Sequence, residues 1–269
     1  MGQANRHRDA VFRATDRKCI YCGGGTVATT IDHMPPRSMF DKKDRPAGLE
    51  FAACEPCNRG ARLVDLACSL IGRIYPDRGD PESLKELQSC LQAVANNVPG
   101  LLEEMTVPAA RERHELQRLG LTRDQGGLLR IGGPIALSCL EIFGARLGMA
   151  LHFEKTRQII PPGGSVFVRV YSNIEIMKNE IPGDIFDILP PSSTLSQGRK
   201  NVEEQFRYGV ASTDDKGVTM SFASFRLSFA LLIFTSVDRS AFPKNSLADK
   251  ATAYQPGALQ FALPRTYRN

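Results

Sequence analysis

The 269-residue sequence has no uninterrupted run of about 20 apolar residues, the length a helix needs to cross a bilayer. Its most apolar helical stretch, residues 134–153, is broken by Glu141 and Arg146, which predicts a buried core helix and no membrane partner. The basic start, residues 1–18, lacks the apolar segment that would follow in a secretory signal, so the expected location is cytoplasmic. Internal repeats are absent, and Gly132-Gly133 and Gly163-Gly164 lack the strand-to-helix context of a phosphate-binding loop, which leaves them as turns. Disorder is excluded by composition: 42% of residues are hydrophobic and 23% charged, enough apolar surface to fold most of the chain.

Charge is present only in modest excess. The formal net charge is +5, and residues 1–75 hold 12 Lys and Arg against 8 Asp and Glu, so most of the surplus lies in the first quarter. That balance is compatible with a nucleic-acid partner without establishing one. The same segment carries four of the seven cysteines, Cys19, Cys22, Cys54 and Cys57, as two C-x2-C pairs separated by 31 residues. In a chain without an export signal such pairs favour metal over disulfides, and two of them bring four thiolates around one structural Zn2+. A redox protein is disfavoured because the pairs lack a thioredoxin-like setting. Cys68, Cys90 and Cys139 fall within apolar helical patterns and are expected as small core hydrophobes.

The pattern around the cysteines predicts a strand at 28–31, a Pro-rich charged loop at 34–48, a strand at 49–53, and a helix from about Glu55 to Pro76 with Leu63, Leu66, Leu70 and Ile74 on one face. Further helices are expected from an Asp80 cap with Pro81 in the first turn to about residue 97, and over 108–119. Beyond Pro161 the pattern turns to β, with runs at 166–171, 185–189, 205–212, 218–225 and 227–235, and a hairpin turn at Asp214-Asp215-Lys216-Gly217. Residues 190–196 and the C-terminal tail are expected as loop. The predicted class is α+β: a zinc-bound module over 1–76, a helical connection over 77–133, and an α+β domain over 134–269 with a mostly antiparallel sheet on the buried helix.

A zinc ion closed by four cysteines stabilises a fold but has no open position to activate water. Asp32-His33 at the end of the first strand and Asn58 directly after Cys57 supply a second centre, because closing the cysteine pairs draws these two points of the chain together. A carboxylate and an amide oxygen are hard ligands suited to Mg2+ or Mn2+, and a neutral imidazole can take a proton from water.

Cys19-Ile20-Tyr21-Cys22, Asp32-His33-Met34-Pro35-Pro36-Arg37 and Cys54-Glu55-Pro56-Cys57-Asn58-Arg59 together resemble the HNH endonucleases of the ββα-metal fold, over about residues 17–65. The resemblance implies that His33 is the general base of phosphodiester hydrolysis. It also implies that Asp32 and Asn58 hold one catalytic divalent metal, which stabilises the transition state and the departing 3′ oxygen. The sequence departs from the family at Leu49, where an Asn bracing the loop between the strands is usual, and at Asn58, where many members have His.

Arg37, Arg59 and Arg62 are the expected phosphate contacts, in competition with an ordinary solvated face that also holds Lys42, Lys43 and Arg45. His7, His114 and His152 have no catalytic frame and are expected to be solvent-facing or structural. Phe222, Phe225, Phe229 and Phe234 are expected in the sheet core. The partner implied is DNA, with a possible homodimer through the C-terminal half. The alternative is a non-catalytic zinc module that binds nucleic acid or a protein.

Overall fold

The computed structural model describes residues 3–74, 81–122, 127–241, 251–257 and 259. Pro76, the expected boundary beside it, the Asp80 cap and most of the C-terminal tail lie outside these.

Helix α1 (Gln3–Arg13) precedes a two-stranded antiparallel hairpin, β1 (Thr30–His33) and β2 (Glu50–Ala53), in which Asp32 stands opposite Phe51 and His33 opposite Glu50. Helices α2 (Glu55–Gly60) and α3 (Arg62–Arg73) follow, so the helix expected from residue 55 is interrupted at Ala61, where Gly60 weakens helix continuity. The expected stripe of Leu63, Leu66, Leu70 and Ile74 is only partly the buried one. Val64, Ala67, Cys68, Leu70 and Ile71 are buried, because α3 is packed from two sides, by α4 (Pro81–Asn97) and by the long helix α7 (Pro134–Thr156).

Helices α5 (Leu101–Met105) and α6 (Ala109–Arg118) lead to α7, the expected buried helix. The main-chain N–H groups of Ile135 and Ala136 at its start donate to the Glu104 carboxylate at 2.8–3.0 Å, which satisfies donors the helix leaves open.

The second half forms β3 (Ser165–Ser172), α8 (Asn173–Met177), α9 (Asp184–Ile188), the two-residue strands β4 (Ser196–Gln197) and β5 (Lys200–Asn201), then β6 (Arg207–Ser212), β7 (Val218–Phe225), β8 (Phe229–Ser236) and β9 (Thr252–Tyr254). A five-stranded sheet of order β6-β7-β8-β3-β9 is antiparallel throughout. Two expectations are corrected here. Residues 185–189 are not a strand: Pro182-Gly183-Asp184 start a short helix that buries Ile185 alone. Part of the tail is not loop: β9 adds the edge strand beside β3.

Packing explains why β8 reads as a continuous apolar run. Leu231 and Ile233 face α7 with Val166 and Val168, whereas Ala230 and Leu232 face Ile185 and Tyr171 on the other side. Helix α7 lies close to the sheet at two glycines: a Cβ on Gly144 would stand 2.6 Å from Val168 Cγ1, and one on Gly148 would stand 2.5 Å from Ile233 Cγ2. One hydrophobic core runs from Cys19 and Phe51 through α3 and α7 to the sheet, without a break on either side of the expected boundary.

His152 on α7 is fully buried, its Nδ1 2.8 Å from Thr235 Oγ1, and its Nε2 has no partner among the described residues. Burial lowers its pKa from 6.5 to about 4. Above pH 6.5 the ring is neutral whether the chain is folded or not. Between about 6.5 and 4 the unfolded chain takes up a proton that the folded one refuses, so stability falls as pH falls, by roughly 1.4 kcal/mol per pH unit. Urea unfolding at pH 7.5, 5 and 4 is expected to show this slope, and a His152→Gln variant is expected to lose about one proton's worth of it.

Candidate functional site

The sulfurs of Cys19, Cys22, Cys54 and Cys57 lie within 4.8 Å of one another. The first pair forms a turn in which Gly24 N–H donates to the Cys19 carbonyl and Gly25 N–H to that of Cys22, with Gly23 and Gly24 at φ of 67° and 79°, a region that favours glycine. The second pair opens α2: Cys54 is the N-cap and Cys57 sits in the first turn, helped by Pro56. A hydrogen bond from the Cys57 thiol is the main cause that lowers the Cys19 thiol to about 5, against the opposing effect of burial. The same bond, with burial, pushes Cys57 up. One thiolate is thus favoured before any ion arrives, and four sulfurs at this spacing suit the Zn–S distance of about 2.3 Å in a tetrahedron. The cluster can hold a zinc ion. Cys68 and Cys139 are buried in the core as expected, with burial raising both thiols.

Side chains alternate along β1, so Thr30 and Asp32 share one face, and Ile31 and His33 the other. Helix α2 packs against β1, its Asn58 reaching Thr30, and Arg146 of α7 reaches Asp32 on the same face. Asn58 Nδ2 donates to Thr30 Oγ1 at 3.1 Å, which brings Asn58 to the side where Asp32 stands two residues on.

Asp32 is buried, and its Oδ2 accepts from the Tyr21 hydroxyl at 2.6 Å and from the Arg146 guanidinium at 2.7 Å. Arg146, 1% exposed, also donates to Asp65 Oδ1 at 3.1 Å and stands 4.9 Å over the Tyr21 ring. Tyr21 lies between Cys19 and Cys22, so one side chain couples the cysteine turn to Asp32. A carboxylate and a side-chain amide oxygen are the donor types that hard divalent cations take.

His33 lies on the opposite face from Asp32. Arg37 donates to its Nε2 at 3.2 Å, and Glu50, its cross-strand neighbour, approaches the same nitrogen at 3.8 Å. Glu50 also holds His7 at 2.6 Å. Burial is the main cause that lowers the His33 pKa below 6.5; Arg45 and Arg37 act in the same direction and Glu50 opposes them. The imidazole is consequently neutral near pH 7, with a lone pair free to take a proton once Arg37 gives way.

The expected phosphate contacts fare differently. Arg37 bonds to His33, exposed Arg59 pairs with Glu55 one turn back, and Arg62 is exposed with no partner among the described residues. Arg45 is neither a solvated cation nor a phosphate contact. Its guanidinium donates to the carbonyls of Met34, Pro35, Pro46, Gly48 and Leu49 at 2.7–3.3 Å, tying together the loop between the strands. Leu49, at the position of the departure, is buried in the core.

Sequence reasoning missed Tyr21, Arg45, Glu50, Asp65 and Arg146. A signal existed for one of them: a cation in the middle of an apolar helix needs a buried acidic partner.

Comparison with known proteins finds no matching family model, curated protein or solved structure. Function is therefore read from the site alone.

Proposed function

We propose that this protein is an HNH-type, metal-dependent endonuclease that hydrolyses DNA phosphodiester bonds, its ββα-metal module stapled by a structural Zn2+ at the four cysteines. The observation that carries this is the bond from Asn58 to Thr30, which brings Asn58 to the face of β1 that bears Asp32, with His33 the next residue in the strand. In this mechanism His33 takes a proton from water, and the oxygen so freed attacks phosphorus. The bond from phosphorus to the 3′ oxygen breaks, and that oxygen recovers a proton from solvent. Asp32 and Asn58 would hold a Mg2+ or Mn2+ ion, which when bound would supply stabilisation of the charge on the phosphate and leaving oxygen. Glu50 restrains the imidazole from across the hairpin, and Arg45 fixes the loop that leaves His33.

One observation favours a second reading. Asp32 already has a buried cation and a hydroxyl on one oxygen, as a purely structural carboxylate would. In that reading the zinc module binds nucleic acid without cutting it.

Incubating the protein with supercoiled plasmid and Mg2+ or Mn2+ separates the two. Nicking is expected, abolished by EDTA and restored by added Mg2+, and slowed by about 10²- to 10⁴-fold in His33→Ala. Nicking that persists unchanged in His33→Ala removes the assignment of the base. Tight DNA binding without nicking across metals favours the second reading.

A further inference from the structure

Helix α1 and the turn after it hold five cations within residues 3–18, Arg6, Arg8, Arg13, Arg17 and Lys18, against Asp9 and Asp16, so this segment carries +3 of the chain's +5. All five are exposed, and among the described residues none has a carboxylate partner. That sets them apart from Arg59 and Lys42, which are paired with Glu55 and Glu82; Arg8 and Arg17 stand 5.4 and 5.6 Å over the Phe12 ring instead, which keeps their charge.

The segment is fixed in place. Phe12 is buried with Ala28 and Ala52, Val11 and Ile31 pack beside it, and the Arg8 guanidinium bonds to the Thr29 carbonyl. His7 reaches Glu50, the residue paired with His33. Helix α1 therefore lies on the face of the hairpin that bears His33. Arg6 and Arg13, seven residues apart, share one side of it, away from Phe12.

Cations left unpaired on a packed helix keep a positive potential that neighbouring acids would otherwise cancel, and the polyanion that meets it is a nucleic-acid backbone. We propose that α1 is a phosphate-binding surface that delivers duplex DNA to the His33 face. This rests on the nuclease reading only for what happens after the duplex has bound; binding can be measured by itself.

The experiment is fluorescence anisotropy of a labelled duplex in Ca2+ buffer across a salt series. It uses the full chain, Arg6→Gln/Arg13→Gln, Arg6→Lys/Arg13→Lys, and a charge-matched control on α6, Arg111→Gln/Arg113→Gln. The Gln pair on α1 is expected to weaken binding by about 10-fold or more at low salt. It is also expected to flatten the plot of log Kd against log salt by about 0.9 for each phosphate that is no longer neutralised. The Lys pair is expected to stay near wild type and the α6 control to change little.

Equal weakening in the α6 control, weakening in the Lys pair as large as in the Gln pair, an unchanged slope in the folded Gln pair, or no duplex binding by the wild type overturns the proposal. A wild type that binds with this α1-dependent slope yet nicks no plasmid overturns the nuclease reading and leaves the surface standing.

Discussion

Replacing Cys54 with serine is expected to abolish zinc retention and to unfold the hairpin region while leaving the five-stranded sheet folded. Metal analysis of the wild type is expected to give about one zinc per chain. The hairpin is only four residues per strand, too short to be stable alone. What closes it is the meeting of a turn at Cys19-Cys22 with the first turn of α2 at Cys54-Cys57, and a structural zinc site contributes on the order of 10 kcal/mol or more to such a closure. The remainder belongs to the same core as Cys19 and Cys54 but has further support of its own: α7 is covered by the sheet where Gly144 meets Val168 and Gly148 meets Ile233, contacts that do not involve the four cysteines. Hydrogen exchange is the decisive measurement. Amides of β1, β2 and α2 should lose protection in the Cys54→Ser variant or under a strong zinc chelator, while those of β3, β7 and β8 keep it. Uniform loss would mean that the two halves unfold as one. Unchanged protection would mean that packing, and not metal, holds the hairpin.

Arg146→Met is expected to cost about 3–5 kcal/mol of stability, the range for breaking a buried ion pair from one side. The guanidinium is matched by Asp32 and Asp65, and removing it leaves Asp32, 6% exposed, with the Tyr21 hydroxyl as its one side-chain donor among the described residues. The cost therefore comes mostly from stranded carboxylates. A triple variant, Arg146→Met with Asp32→Asn and Asp65→Asn, is expected to recover a large part of the loss in denaturant titrations, since it strands no charge. A single variant as stable as wild type would show that water or another cation reaches the carboxylates. The position also matters for the proposed chemistry, because Arg146 holds Oδ2 of Asp32, the carboxylate that the nuclease reading assigns to the metal.

Much of this architecture is visible before folding. The cysteine spacing, the strand, loop, strand and helix order, the long apolar helix and the Asp214-Gly217 hairpin turn all appear in the structure, because each is a local pattern of spacing or turn chemistry. Helix α1 escapes that pattern because only Val11 and Phe12 mark its apolar face, and a basic stretch with two such residues gives little periodic signal. Residues 185–189 read as a strand because five mostly apolar residues fit either element, and the Pro-Gly-Asp start decides for a helix turn. The edge strand β9 has no strong pattern of its own and depends on β3 for its hydrogen bonds.

The four cysteines, the pair Asp32-His33 and Asn58 are legible from the sequence alone, since chemistry-bearing residues at short fixed spacings need no knowledge of distant contacts. Tertiary structure decided what surrounds them. Arg146 reaches Asp32 across 114 positions of sequence and Asp65 across 81, and Arg45 becomes a brace only when the loop folds its carbonyls around it. A buried charge must find an opposite charge or a polar cage, and which one it finds is set by how α7 and the loop pack, which no local spacing records.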